Sequence, residues 1–64
     1  MAQSRFTSIL NKARILQTIH SSWSLQKCVQ HLEKKGVIIL SEFEKGMFYT
    51  HDEETLIGFG KLFN

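Results

Sequence analysis

The sequence predicts a small α+β fold, in which two or three N-terminal helices precede a β-hairpin and a short C-terminal helix. Three observations predict it. Apolar residues recur at three- and four-residue spacing through the first half of the chain, which is typical of amphipathic helices. A stretch rich in β-branched and aromatic residues then begins after Gly36, and a segment rich in Leu, Ile and Phe closes the chain. With 64 residues, of which 42% are hydrophobic, residues 1–64 make a single small domain with one core.

The first predicted helical segment covers residues 4–22. Its apolar stripe consists of Phe6, Ile9, Leu10, Ala13 and Leu16. Ser4 or Thr7 supplies the N-cap, since a hydroxyl side chain there accepts a hydrogen bond from a free backbone N–H. Ile15 and Ile19 lie off the stripe and widen the apolar arc. The segment is therefore either one helix between two neighbours or two shorter helices that break near Ala13.

The second helix is predicted over residues 24–35. Ser24 or Ser22 caps it, and Gly36 ends it as the C′ residue, where a left-handed conformation favours glycine. Its narrow apolar stripe consists of Leu25, Cys28, Val29 and Leu32. The opposite face is polar and mildly basic, and it consists of Lys27, Gln30, His31 and Lys34.

A β-hairpin is predicted over residues 37–51, with Gly46 in the turn between two strands. The C-terminal segment, 52–63, begins within Thr50-His51-Asp52-Glu53, which matches a capping box at a helix start. Gly58 and Gly60 oppose a helix, because each glycine costs about 1 kcal/mol relative to alanine in a helix interior. This segment is therefore a short helix or an extended tail.

Several functional classes are excluded by composition. The longest uninterrupted apolar run covers only residues 37–40, and a membrane span needs about 20 apolar residues. The single cysteine, Cys28, forms no internal disulfide, so the sequence predicts a soluble protein of the cytoplasm. Cys28 and His31 stand at i and i+3, but a zinc site needs a second such pair. No pattern indicates an enzyme, a metal or another cofactor.

Charge is divided unevenly along the chain. The net charge is +2, yet residues 1–35 hold six basic residues against one acidic residue, and residues 36–64 hold two against five. Such asymmetry is compatible with a basic half that faces an anionic partner.

The order of elements resembles the winged helix-turn-helix family over about residues 20–63. The resemblance lies in the segment Leu32-Glu33-Lys34-Lys35-Gly36-Val37-Ile38-Ile39, which leads from a helix into a hairpin that ends at Met47-Phe48-Tyr49-Thr50. It implies a small DNA-binding transcriptional regulator with residues 24–35 as recognition helix. The double-stranded DNA would contact Lys27, Gln30, His31, Lys34 and, on the wing, Lys45. Lys12 and Arg14 are the candidates for a continuation of this basic surface.

Apolar side chains on both faces of the hairpin, together with the C-terminal aromatics, predict a homodimer. The predicted interface residues are Ile38, Leu40, Leu56, Phe59, Leu62 and Phe63. A tail that folds back on its own hairpin is the monomeric alternative. The alternative function is that of a non-enzymatic protein-binding adaptor or inhibitor that uses the apolar hairpin face and the C-terminal tail.

Overall fold

Four helices and no strand make up residues 4–63, the part of the chain that the computed structural model describes. The helices are α1 (Arg5–Ile19), α2 (Leu25–Lys34), α3 (Glu42–Thr50) and α4 (Glu53–Phe63). Helix α1 packs against α2 and α4, and α2 also contacts α3. The predicted α+β class is therefore wrong, and the described residues form no β-hairpin that could serve as the wing of a winged helix.

Helix α1 is one continuous helix, which settles the choice between one helix and two. Ser4 is its N-cap, and the Ser4 side chain accepts a hydrogen bond from the Thr7 backbone N–H at 3.1 Å. Ala13, where a break was an option, is fully buried. Ile15 and Ile19 are exposed, so the wide apolar arc of α1 is only partly covered by neighbours.

Helix α2 lies within the predicted range 24–35, and Ser24 and Lys35 are its two cap residues. Ser24 caps its start by accepting from the Lys27 N–H, and Gly36 follows its end with a φ of +78°. The Gly36 N–H donates to the Glu33 carbonyl and the Val37 N–H donates to the Leu32 carbonyl, each at 3.0 Å. This pair of bonds is a Schellman motif, which satisfies carbonyls that the helix end leaves open.

The predicted hairpin over 37–51 is an extended segment followed by a helix. Within residues 37–40, Ile38 and Leu40 are buried while Val37 and Ile39 are exposed. This alternation is the period of an extended chain, but the segment packs on helices and pairs with no strand among the described residues. Helix α3 then starts at a capping box, in which Ser41 and Glu44 bond each other's backbone N–H groups. Gly46 therefore lies inside α3 and forms no hairpin turn.

The C-terminal segment is helical, which excludes the extended tail. The predicted capping box at Thr50 is wrong, because Thr50 is the last residue of α3. The Asp52 carboxylate instead accepts a hydrogen bond from the Thr55 N–H at 2.8 Å. Hydrogen bonding to the Thr55 side chain and to the Thr55 backbone N–H lowers the pKa of Asp52, as expected for a carboxylate that caps a helix start.

All four helices and the extended segment contribute to one core. Its buried apolar members are Phe6, Ile9, Leu10, Ala13, Leu25, Cys28, Val29, Ile38, Leu40, Phe48 and Leu56. The rings of Phe6 and Phe48 stack with centroids 4.8 Å apart, and Phe59 meets Phe6 edge-on. Aromatic contacts thus join α1, α3 and α4 at one point.

An ion pair ties the start of α1 to the start of α3. The Arg5 guanidinium donates to the Glu44 carboxylate at 2.8 Å and also to the Ile39 carbonyl oxygen. Burial alone would raise the pKa of Glu44, but the hydrogen bonds from Ser41 and Arg5 outweigh burial and lower it. Glu44 is therefore ionised and fully bonded although it is buried.

This arrangement predicts a loss of stability in acid. A lowered folded-state pKa means that Glu44 stabilises the fold above the unfolded-state pKa of about 4.3, and that this contribution disappears as pH falls through the folded-state value. We expect Glu44→Gln to lower the free energy of unfolding at pH 7 by about 1 kcal/mol, since Arg5 is largely exposed and its charge is screened. The difference in the free energy of unfolding between the unmodified protein and the Glu44→Gln variant, measured by urea denaturation, should be smaller at about pH 3 than at pH 7.

The matched control is Glu54→Gln, because Glu54 is exposed in the first turn of α4. Its effect at pH 7 should be smaller than that of Glu44→Gln. If Glu44→Gln lowered the free energy of unfolding by the same amount at pH 7 and at acidic pH, the result would contradict the hydrogen bonds that Arg5 and Ser41 donate to an ionised Glu44.

Candidate nucleic-acid interface

The outward face of α2 carries the polar residues that the sequence singles out. Lys27, Gln30 and Lys34 are exposed, and His31 is half-buried beside them. Residues spaced by three and four positions fall on one helix face, and the apolar stripe of α2 faces the core with Leu25, Cys28 and Val29 buried. Burial of one face therefore leaves the basic face open to solvent.

Trp23 lies at the N-terminal end of this face, in the turn between α1 and α2. The His20 ring stacks on the indole with centroids 3.8 Å apart, and the His31 ring lies at 5.3 Å from it. The Lys27 ammonium nitrogen stands over the indole, 4.7 Å from the ring centroid. A cation over an aromatic ring is attracted to it by about 0.5–1 kcal/mol at an exposed site, so the indole restrains Lys27.

Glu33 is the single carboxylate in α2, and α3 engages it. The Tyr49 hydroxyl donates to Glu33 at 3.1 Å, and the Lys45 ammonium lies 3.8 Å from its other oxygen. Burial, together with the Glu33 bond, raises the pKa of Tyr49 to about 12. The negative charge of Glu33 is thus partly compensated, which favours a positive potential along α2.

Five basic side chains of α1 and α2 and the turn after α2 have no carboxylate partner among residues 4–63. They are Lys12, Arg14, Lys27, Lys34 and Lys35. By contrast, the exposed acidic residues Glu42, Glu53 and Glu54 lie in the first turns of α3 and α4, where the helix dipole favours them. The uneven division of charge along the sequence therefore places unpaired basic residues on α1 and α2 and exposed acidic residues on α3 and α4.

The structure does not bring all the predicted contacts to the α2 face. Lys12 lines a separate groove of α1 beside the segment 36–39. Arg14 lines a cleft between α1 and α4, together with Lys61. Lys45 is in α3 and pairs with Glu33 and Glu42, so its predicted place on a wing is wrong.

Three residues of the predicted dimer interface belong to the core and are not available for a contact with a second chain. Ile38, Leu40 and Leu56 are buried within the chain itself. Phe59 is half-buried against Phe6 and His51, while Leu62 is exposed. The Phe63 side chain lies outside the described residues. The apolar hairpin face on which the adaptor alternative depended is therefore not formed.

Nothing in the described chain assembles a metal site or a membrane span. No three metal-ligating side chains come together within residues 4–63, and none of the helices there has the length and apolar character to cross a bilayer. Cys28 is buried, and burial raises the pKa of its thiol.

Comparison with protein-family models, with curated proteins and with solved structures gives no match for this chain. Its function must therefore be argued from its own residues.

Sequence reasoning did not predict the ring stack of His20 on Trp23 beside the α2 face. Both residues follow α1 in the turn 20–24, and the ring stack depends on how α2 folds back along α1. The one available signal is that Trp23 stands directly before the N-cap of α2. This signal is too general to identify the ring that stacks on the indole.

Proposed function

We propose that this protein binds double-stranded DNA by placing α2 in the major groove. The observation that carries the proposal is the outward face of α2, which presents Lys27, Gln30 and Lys34 without a competing free carboxylate. Two helices joined by a short turn, with the second helix outward, is an arrangement that many DNA-binding proteins use. No wing takes part.

The dimensions of α2 support the proposal. Its 10 residues give a length of about 15 Å at 1.5 Å per residue. The major groove of B-DNA, about 12 Å wide, admits one α-helix. Gln30 lies between the two lysines on the exposed face, and a glutamine amide can form two hydrogen bonds with adenine in that groove.

Electrostatics supports the same orientation. Lys27 and Lys34 lie at opposite ends of the α2 face, about 10 Å apart along the helix axis, which is close to the width of the major groove, about 12 Å. Lys35 extends the positive charge past the helix end. The exposed carboxylates of α3 and α4 belong to other helices, so α2 itself adds little repulsion to the approach of DNA.

A salt titration tests the proposal. We expect Lys27→Ala and Lys34→Ala each to remove about one phosphate contact and to flatten the slope of log K against log salt by about 0.9. The measurement is fluorescence anisotropy with a labelled duplex of mixed sequence at several salt concentrations. Affinity should fall by similar factors on unrelated sequences, since phosphate contacts carry no sequence information.

Lys61→Ala is the matched control, because Lys61 is exposed on α4 in the cleft between α1 and α4. Its salt slope should equal that of the unmodified protein. Salt slopes that are unchanged in both α2 lysine variants, or absence of duplex binding at low salt, would overturn the proposal.

A further inference from the structure

A histidine lies in the middle of the outward face of α2. His31 is half-buried, and its side chain lines a surface groove together with Lys27, Gln30 and Lys34. Lys27 lies four positions before His31 and Lys34 lies three positions after it, so both lysines are its neighbours on this face. The His31 ring therefore stands between the two cations for which we propose phosphate contacts.

The indole of Trp23 restrains the position of the His31 ring. The centroids of the two rings are 5.3 Å apart, and their planes are tilted by 57°. The indole is itself held by the His20 ring, which stacks on it nearly in parallel at 7°, and by the Lys27 ammonium that stands over it. The imidazole of His31 is thus kept beside Trp23 at the edge of the groove.

The ring nitrogens of His31 are available to a ligand. The His31 backbone carbonyl accepts from the Lys35 N–H, but the ring makes no hydrogen bond to any group of residues 4–63. In His51, by contrast, Nδ1 lies 3.2 Å from the Met47 carbonyl oxygen and 3.0 Å from the Thr50 hydroxyl oxygen. Because a protonated imidazole donates from both nitrogens, His31 can offer hydrogen bonds that His51 already uses within the fold.

Several elements place charged or titratable groups around His31. Those on α2, α3, α4 and the turn after α1 are Lys27, Glu33, Lys34, Lys45, Tyr49, Glu53 and His20. Glu33 is engaged by Lys45 and by Tyr49, and the pKa of Tyr49, about 12, keeps its hydroxyl neutral. Glu53 accepts a hydrogen bond from the Gln17 amide at 2.7 Å. Both carboxylates thus have partners other than His31, and lysines border its ring on the groove.

We propose that protonation of His31 strengthens the binding of DNA phosphates to α2, so that affinity rises as the pH falls from about 8 to about 6. This inference rests on the proposed DNA-binding function and adds a regulation to it. Histidine is the side chain whose charge ordinarily changes between about pH 5 and 8. The protonated ring adds a third cation to the α2 face and donates a charge-assisted hydrogen bond to a phosphate oxygen.

The direction of the effect follows from linkage between proton and DNA. A bound phosphate stabilises the charged form of the ring, so the complex holds more protons than the free protein, and a lower pH favours the complex. Couplings of this kind change affinity by about fivefold or more. Acid weakening of the Glu44 contacts does not interfere, because the pKa of Glu44 is lowered from its ordinary acidic value and lies below this pH range.

Two substitutions of His31 test the proposal by fluorescence anisotropy with a labelled duplex of mixed sequence. Unmodified protein should bind about fivefold more tightly at pH 6 than at pH 8 at one ionic strength. His31→Gln is uncharged at both pH values and should keep the weaker affinity throughout. His31→Arg is charged at both and should keep the tighter affinity throughout. A merely structural role of His31 would not give two variants that lose the pH dependence at opposite levels of affinity.

The salt dependence is a second readout. For unmodified protein, the slope of log K against log salt should be steeper at pH 6 than at pH 8 by up to about 0.9, which is the contribution of one further neutralised phosphate. The slope of His31→Gln should be the same at both pH values. His51→Gln is the matched control, since His51 is also half-buried but lies between α3 and α4, and it should keep the full pH dependence.

Duplex binding of equal affinity at pH 6 and pH 8 would overturn this inference and leave the proposed function standing. A pH dependence that survives in His31→Gln, or one that disappears in His51→Gln, would overturn it too. Absence of duplex binding at both pH values in low salt would overturn the inference and the proposed function together.

Discussion

Replacing Phe48 with alanine is expected to remove a large part of the free energy of unfolding of the protein. The Phe48 ring is fully buried and stacks on Phe6, and a Phe→Ala change at a buried site costs about 3–5 kcal/mol. At about 0.05–0.15 kcal/mol per residue, a chain of 64 residues has a total stability of only about 3–10 kcal/mol. Urea denaturation followed by far-ultraviolet circular dichroism measures the loss.

Phe43→Ala is the matched control, since it is the same substitution in the same helix. Residues five positions apart lie on different faces of a helix, and Phe43 is exposed where Phe48 is buried. At low protein concentration, where association adds nothing, its effect should stay within about 0.5 kcal/mol. Equal losses for the two variants would contradict the placement of the two phenylalanines on different faces of α3.

Gly60→Ala and Gly58→Ala are expected to change stability in opposite directions. A Cβ at Gly60 would lie 2.7 Å from the Leu10 Cδ2 atom of α1. Leu10 is buried and has little room to move, and overpacking of this kind costs about 1–3 kcal/mol. A Cβ at Gly58 meets nothing within 4 Å, so alanine there should stabilise the helix by up to about 1 kcal/mol.

Thermal and urea unfolding of the two variants measure the difference. Gly60→Ala gains the same helix propensity as Gly58→Ala, so the contrast between them isolates the close approach of α4 to α1. If Gly60→Ala proved as stabilising as Gly58→Ala, the two helices would not be in the contact that the structure shows.

The parts of the fold that depend on local signals were predictable. Helix α2 has a serine N-cap, a narrow apolar stripe and a glycine that takes a positive φ, and each signal acts within a few residues of the helix. The exposed positions of Lys27, Gln30 and Lys34 follow from the same stripe, because burying one helix face exposes the opposite one. This portion of the candidate site was therefore accessible from sequence.

The hairpin was predicted wrongly because two local signals compete after Gly36. The β-branched residues 37–39 do form extended chain, with the expected alternation of buried and exposed side chains. The capping box of Ser41 and Glu44 then starts a helix, and it outweighs the turn preference of Gly46. The bond between Arg5 and Glu44 spans most of the chain, and no local pattern reveals it.

The predicted basic surface failed in part for a similar reason. Lys12 and Arg14 are close in sequence and both exposed, but they lie in different grooves because the segment 36–39 packs on one side of α1 and α4 on the other. The position of Lys45 depended entirely on the hairpin. Long-range packing, which sequence periodicity does not report, decides which exposed cations share a surface.

The burial of Cys28 gives the protein an internal reporter of its own opening. Cys28 is the single cysteine of the chain, it is fully buried at the contact of α2 with the core, and burial raises the pKa of its thiol. A thiol reagent reacts with the thiolate, so it modifies Cys28 only in molecules whose core has transiently opened. When opening and closing are fast relative to the chemistry, the labelling rate reports the equilibrium fraction of open molecules. The native chain therefore carries a means to follow its own conformational fluctuations without any added probe site.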